Sequence, residues 1–201
     1  AASAEPLGCA VASALLGAAA GALTAGGVAD RFGRLYVMKI AAVLFLISAI
    51  GTGFANSLWM LVLFRIVGGL GVGFASVIAP AYIAEIAPAH IRGRLGSLQQ
   101  LAIVSGIFVS LLVDYILAQM AGGSREELWF GLEAWRWMFL AMAVPAVIYG
   151  ALALTIPESP RYLIAAHKIP EARKVLTALL GEKDLEVKID RIRASVAREK
   201  K

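Results

Sequence analysis

The sequence predicts an all-α membrane protein, and three observations carry that reading. Hydrophobic residues make up 60% of the 201 positions and charged residues only 16%, where an ordinary soluble domain carries about 25% charged residues. The charges also avoid five windows altogether: Pro6 to Ala29, Ile40 to Phe64, Ile66 to Ala84, Leu95 to Val113, and Trp137 to Pro157. At ~1.5 Å per residue, each window is long enough to cross a ~30 Å hydrocarbon core. Third, the basic residues fall mostly on one set of connections, as they do at the cytoplasmic face of membrane proteins. The alternative is a large soluble helical bundle. The windows place spans near 6–28, 37–55, 58–84, 95–120 and 137–156.

In the first span, Ala14, Gly17, Gly21 and Ala25 recur at spacings of three and four. They share one face, along which a neighbouring helix can approach closely. Cys9, the single cysteine, lies in the same span and provides no disulfide framework. The stretch GGVADRFGR, Gly26 to Arg34, reads as a short turn whose glycines permit a tight reversal, with Asp30 within reach of Arg31 and Arg34. The second span follows it.

The third span carries Arg65 in a glycine-dense run, and Pro80 further along. A charge at bilayer depth costs roughly 3 kcal/mol on insertion scales, so Arg65 must face a partner or a water-filled cavity. Pro80 removes a backbone donor and is expected to kink the helix. A short polar loop, Glu85 to Gly96, then joins antiparallel neighbours. The fourth span holds Gln99, Gln100 and Asp114, and the fifth closes the set.

After Pro157 the pattern changes. In PESPRYL, Ser159 is placed to cap a helix and Pro160 to begin it. A second helix is expected from Pro170 to Gly181, with Val175, Leu176 and Leu179 on its apolar side. A third, near 183–199, repeats Leu185, Ile189, Ile192 and Val196 at helical spacing. These helices are too charged to span, so the chain divides into a membrane part, 1–157, and an extramembrane part, 158–201.

Orientation follows from the loops. Arg31, Arg34, Lys39, Arg92, Arg94 and most of the 19 Lys and Arg residues lie at one face, the last group after Pro157. At the other face, 55–58 has no basic residue, and Arg125 and Arg136 stand against Glu126, Glu127 and Glu133. All four tryptophans, Trp59, Trp129, Trp135 and Trp137, lie on this less basic side, as an interfacial belt would. Residue 1 is therefore expected outside and residue 201 in the cytoplasm. The net charge of +5 follows from this asymmetry and does not indicate nucleic-acid binding.

The spacing of Arg65, Gly69, Gly71, Gly73, Ser76, Pro80, Tyr82, Glu85 and Pro88, followed by RG-x-L at Arg92 and by Gln100, resembles the sugar porters of the major facilitator superfamily. So does PESPR, Pro157 to Arg161, and the GGVADRFGR loop resembles the signature loop of the whole superfamily. Leu35 departs from it, standing where the family usually has a second basic residue. The resemblance implies a superfamily helical bundle in which these five helices are an incomplete N-terminal half. Helix one and the C-terminal half would be missing, and residues 158–201 would form the cytoplasmic helical linker. Organic-ion carriers share parts of these motifs.

The candidate site residues follow. Gln100 offers donors and an acceptor together, which suits a polyol, and the resemblance implies that it binds sugar, with Ile103 and Ile107 shaping the pocket. Gln99, rotated away from Gln100, is expected to bond a neighbouring helix. In proton-coupled sugar porters the arginine matching Arg65 faces an aspartate on helix one. Asp114, on nearly the same face as Gln100, is the second candidate partner. Asp30, Arg31, Arg34, Glu85, Arg92, Glu158 and Arg161 form an inner set whose opposite charges could lock one orientation. Here the resemblance implies that Glu158 reaches the arginines near Arg92. Plain topology-setting charges are the alternative.

No enzyme constellation is present: His90 and His167 have no metal-ligand spacing, and there is no nucleophile–base pattern and no phosphate loop. No cofactor and no metal are expected. The function implied is secondary transport of a sugar or polyol across the bilayer by alternating access, coupled to proton symport. The alternatives are a facilitative uniporter, an organic-ion carrier, and a non-transporting membrane sensor.

Overall fold

The computed structural model describes residues 4–181 and 183–201. Its elements in order are α1 (Ala4–Phe32), α2 (Arg34–Gly53), α3 (Leu58–Ile86), α4 (Arg92–Ala121), β1 (Glu127–Trp129), β2 (Leu132–Glu133), α5 (Ala134–Ala141), α6 (Ala143–Ala153), α7 (Pro160–Ala165), α8 (Ile169–Leu180) and α9 (Leu185–Glu199). Helices α1 to α4, and α5 with α6 taken together, are long and apolar enough to cross a membrane. The five expected spans are present, though several boundaries move.

The largest correction is at the first turn. Gly26 and Gly27 lie inside α1, which runs on to Phe32, and the reversal is made at Gly33 alone. Gly33 has φ 106° and ψ 159°, a conformation essentially reserved for glycine. The basic RG-x-L segment is likewise not loop but the first turn of α4, so the connection from α3 shrinks to residues 87–91. The fifth span begins at Ala134 and is divided at Met142. Pro145 cannot donate to the carbonyl of Ala141 four residues earlier, which interrupts the helical ladder there. Pro80, by contrast, sits within a continuous α3.

Helix α3 is the centre of the bundle because glycines clear two of its faces. A Cβ at Gly21 of α1 would lie 2.5 Å from the carbonyl oxygen of Leu70. Gly69 and Gly73 meet the backbone of α1 around Ala14 and Ala18, while Gly68 and Gly71 receive Ser48 and Phe45 of α2. Small residues at helical spacing thus bring backbones together, where dispersion contacts drive association within lipid. The bundle core is Ala29, Val37, Met38, Ile78 and Ala153. Helix α4 differs from the other spans: it has no buried residue.

Each end of the bundle is tied across the chain. At the hairpin end, the Arg136 guanidinium donates to the carbonyls of Gly53 (3.3 Å) and Ala55 (2.7 Å). At the other end, the Tyr82 hydroxyl donates to the Pro157 carbonyl at 2.7 Å. Ser159 caps α7, accepting from the Tyr162 amide, with Pro160 in the first turn, as the sequence predicts. Helices α7 to α9 enclose their own apolar cluster of Leu163, Ile164, Ala172, Leu176 and Ile189.

Candidate functional site

Arg34 is the hub at the α7 end. It opens α2 directly after Gly33 and is buried, with 8% of its surface exposed. Its guanidinium meets Glu85 at 2.8 Å and Asp30 at 3.1 Å, and donates to the Ala29 carbonyl at 3.2 Å. Glu85 also accepts from the Ser159 hydroxyl. Glu158 accepts from the backbone amides of Arg34 (3.1 Å), Leu35 (3.2 Å) and Ser159 (2.8 Å). A carboxylate at a helix N-terminus satisfies orphan amides and complements the helix dipole. The corner therefore joins the ends of α1, α2 and α3 to the segment entering α7.

The expected inner set divides on this geometry. Asp30, Arg34, Glu85 and Glu158 come together. Arg31 instead lies over the Phe32 ring at 5.3 Å, and Arg92 donates to the Ala87 carbonyl at 3.2 Å within its own turn. Arg161 pairs with Glu199 of α9 and donates to Ser195. Glu158 does not reach Arg92: its oxygens are occupied by three amides, which are fixed by the helix start while long arginine side chains are not. Leu35 contributes its amide to Glu158 and its side chain to the bundle core, so the missing second cation leaves an apolar contact in its place.

Within the membrane part, a cavity of about 770 Å³ opens between α4 and the rest of the bundle. Ile103 and Ile107 line it from α4, Arg65, Gly69 and Val72 from α3, and Tyr149 from α6. Gln100 is exposed one turn away on α4, outside this lining. Gln99 is half-buried and makes no side-chain hydrogen bond among the described residues, contrary to expectation. Asp114 is half-buried further along and forms no ion pair among the described residues.

Arg65 borders two cavities. It lies over the Phe139 ring at 5.6 Å and lines both the large cavity and a second of about 410 Å³ toward the hairpin, beside Arg125, Glu133 and Trp135. An aromatic face supports a cation less strongly than a carboxylate does, so the guanidinium remains available to an acid approaching through either cavity. The contact with Phe139 was not foreseen from sequence. Nor were Arg136 as a cross-tie and Glu158 as a cap. A break near Pro145 was readable from the rule that proline lacks an amide donor.

Comparison with known proteins places this geometry. The family profile described as "Sugar (and other) transporter" matches residues 2–201. The "Glucose transport protein" of Synechocystis sp. is 54% identical over 191 residues, covering 94% of this chain and 41% of that protein. The "D-xylose-proton symporter" of Escherichia coli (strain K12) is 40% identical over 193 residues, covering 87% and 38%. Among solved structures, the major facilitator superfamily proton:xylose symporter XylE bound to 6-bromo-6-deoxy-D-glucose superposes with a TM-score of 0.88. Its identity is 36%, over 96% of this chain and 44% of that one. A partially occluded inward-open XylE from E. coli gives 0.87 at 37% identity. The chain spans less than half the length of the relatives it matches.

Proposed function

Since the chain belongs to the sugar (and other) transporter family of the major facilitator superfamily, we propose that it forms part of a secondary carrier. In this reading it contributes five helices of the N-terminal half, 1–157, and the helical linker, 158–201. The carrier moves a neutral sugar or polyol across the cell membrane by alternating access, in symport with protons. Residue 1 lies outside and residue 201 in the cytoplasm.

One observation carries this reading: the position of α4. Among the described residues it is the only span without a buried one, and it presents Ile103 and Ile107 to the large cavity, with Gln100 exposed one turn away. An amide flanked by apolar walls suits a ligand whose hydroxyls both donate and accept. Arg65 shares the large cavity with Ile103 and Ile107, and its acid partner would come from another segment of the carrier. The corner of Arg34, Glu85, Ser159 and Glu158 would close the cytoplasmic side in one state and part in the other. Surface ion pairs are weak singly, about 0–1 kcal/mol, so such a bias needs the shared, partly buried network seen here.

The relatives named for glucose and xylose support hexoses and pentoses as the first substrates to test. Gln100→Ala, in the carrier reconstituted in vesicles, is expected to weaken sugar affinity about tenfold or more, as loss of one buried hydrogen-bonding partner at ~1–3 kcal/mol implies. Expression and thermal stability should stay unchanged, because Gln100 packs against nothing in the bundle. Unaltered affinity would remove Gln100 from the site.

A further inference from the structure

The tip of the β1–β2 hairpin is built in an unusual way. Trp129 pairs with Leu132, leaving Phe130 and Gly131 as a two-residue turn with φ 54° and 70°. Such turns are usually made by Asn-Gly or Asp-Gly, because a left-handed backbone disfavours bulky side chains. Phe130 nevertheless holds the first position, and 94% of its surface is exposed. The turn does not call for an aromatic ring there.

The hairpin does not stand off from the membrane part. The Trp137 indole, in the first turns of the fifth span, donates to the Trp129 carbonyl at 3.2 Å. Trp129 meets Trp137 edge-on at 5.5 Å, and the Phe130 ring lies 6.2 Å from Trp137. The base of the hairpin is fixed by the Ala134 amide on the Glu126 carbonyl and the Trp135 amide on the Ser124 carbonyl, both 2.9 Å. Phe130 is thereby held level with the start of a spanning helix. Alternation of the spans puts Trp59, 83% exposed at the start of α3, on the same membrane side. Glu126 and Glu127, also exposed, lie at the base of the hairpin, away from its tip.

We propose that Phe130 inserts into the lipid interface, making the hairpin an anchor that seats this end of the bundle in the headgroup region. Aromatic rings partition to that depth, where an apolar body and nearby polar groups are both satisfied. The partner is a phospholipid surface, independent of what the carrier transports.

The test uses a nitroxide on Phe130→Cys in a Cys9→Ala background, with the protein in phosphatidylcholine/phosphatidylglycerol vesicles. A second label at Glu126→Cys serves as the aqueous reference. Power-saturation spectroscopy with oxygen and a water-soluble nickel chelate reads the depth of each. The expected result is oxygen accessibility exceeding nickel accessibility at 130, with the reverse at 126. Nickel accessibility at 130 equal to that at 126 would put the ring in water and overturn the proposal. Exclusion of both reagents at 130 would mean that protein covers it, which also overturns it. The substitution removes the Phe130–Trp137 ring contact but leaves the Trp129–Trp137 contact, the Trp137 indole bond and the bonds at the hairpin base in place, so the hairpin keeps its position.

Discussion

The carboxylate of Glu158 accepts the backbone amide of Arg34 at 3.1 Å, so a side chain beyond the fifth span caps the first turn of the second. The same carboxylate explains why residue 33 is glycine. A Cβ there would lie 2.6 Å from Glu158 Oε2, and the φ of 106° is already closed to other residues. Arg34 then turns its guanidinium to Asp30 and Glu85. Backbone conformation, cap and ion pairs at this corner form one device.

Gly33→Ala is therefore expected to cost about 1–3 kcal/mol through strain alone, and more through displacement of Glu158. Thermal unfolding in detergent should show a lowered midpoint. Glu158→Ala should raise the accessibility of a cysteine at Ala89 to reagents applied from the cytoplasmic side, because the corner no longer closes. Wild-type accessibility and transport in that variant would reduce these charges to topological markers.

At the opposite end, Arg136 joins two connections. Its guanidinium lies 4.4 Å from the Trp135 ring centroid and donates to the carbonyls of Gly53, which ends α2, and Ala55, just beyond it. Arg136→Leu should destabilise the folded protein by about 1.5–3 kcal/mol, the range for a charge-assisted hydrogen bond. Arg136→Lys, which keeps the charge and one donor, should recover part of that loss in the same unfolding measurement.

The orientation rests on loop charge. Cysteines at Ser57 and Gly123 are expected to label from outside intact cells with a membrane-impermeant reagent, and cysteines at Ala89 and Gly93 are not. Gly93 has open space around its Cα and tolerates the change. Gly33 does not, and is unsuitable as a reporter. Uniform labelling of all four positions would overturn the topology.

The spans were legible because a helix in lipid is predominantly apolar, and Asp30, Glu85, Arg94 and Arg136 lie at or near the ends of such helices. The turn at Gly33 was less legible. Gly26 and Gly27 suggest a reversal by composition, yet the αR conformation suits them equally, and only Gly33 faces the Glu158 carboxylate. Charged residues were visible as a set but not as partners. Arg34 and Glu85 meet because helix ends converge, while Arg31, in the last turn of α1, lies over Phe32 instead, and no spacing rule separates the two arginines. Ile103 and Ile107 fell on the cavity as helical periodicity requires. The Phe139 contact of Arg65 and the Phe130 turn depend on how α5 and the hairpin fold back, which leaves no periodic signature.

The proposed proton coupling turns on Arg65, a cation in an apolar span whose only charge-stabilising contact among the described residues is the Phe139 ring. An acid paired with such a cation keeps its charged form favoured, and movement that separates the pair favours protonation. Labelled sugar uptake and proton movement, followed together in vesicles containing the carrier, test this most directly. Sugar is expected to accumulate against its gradient with accompanying proton uptake, and Arg65→Leu to abolish both while sugar exchange persists through the Gln100 face. Uphill accumulation retained in full by Arg65→Leu would contradict it.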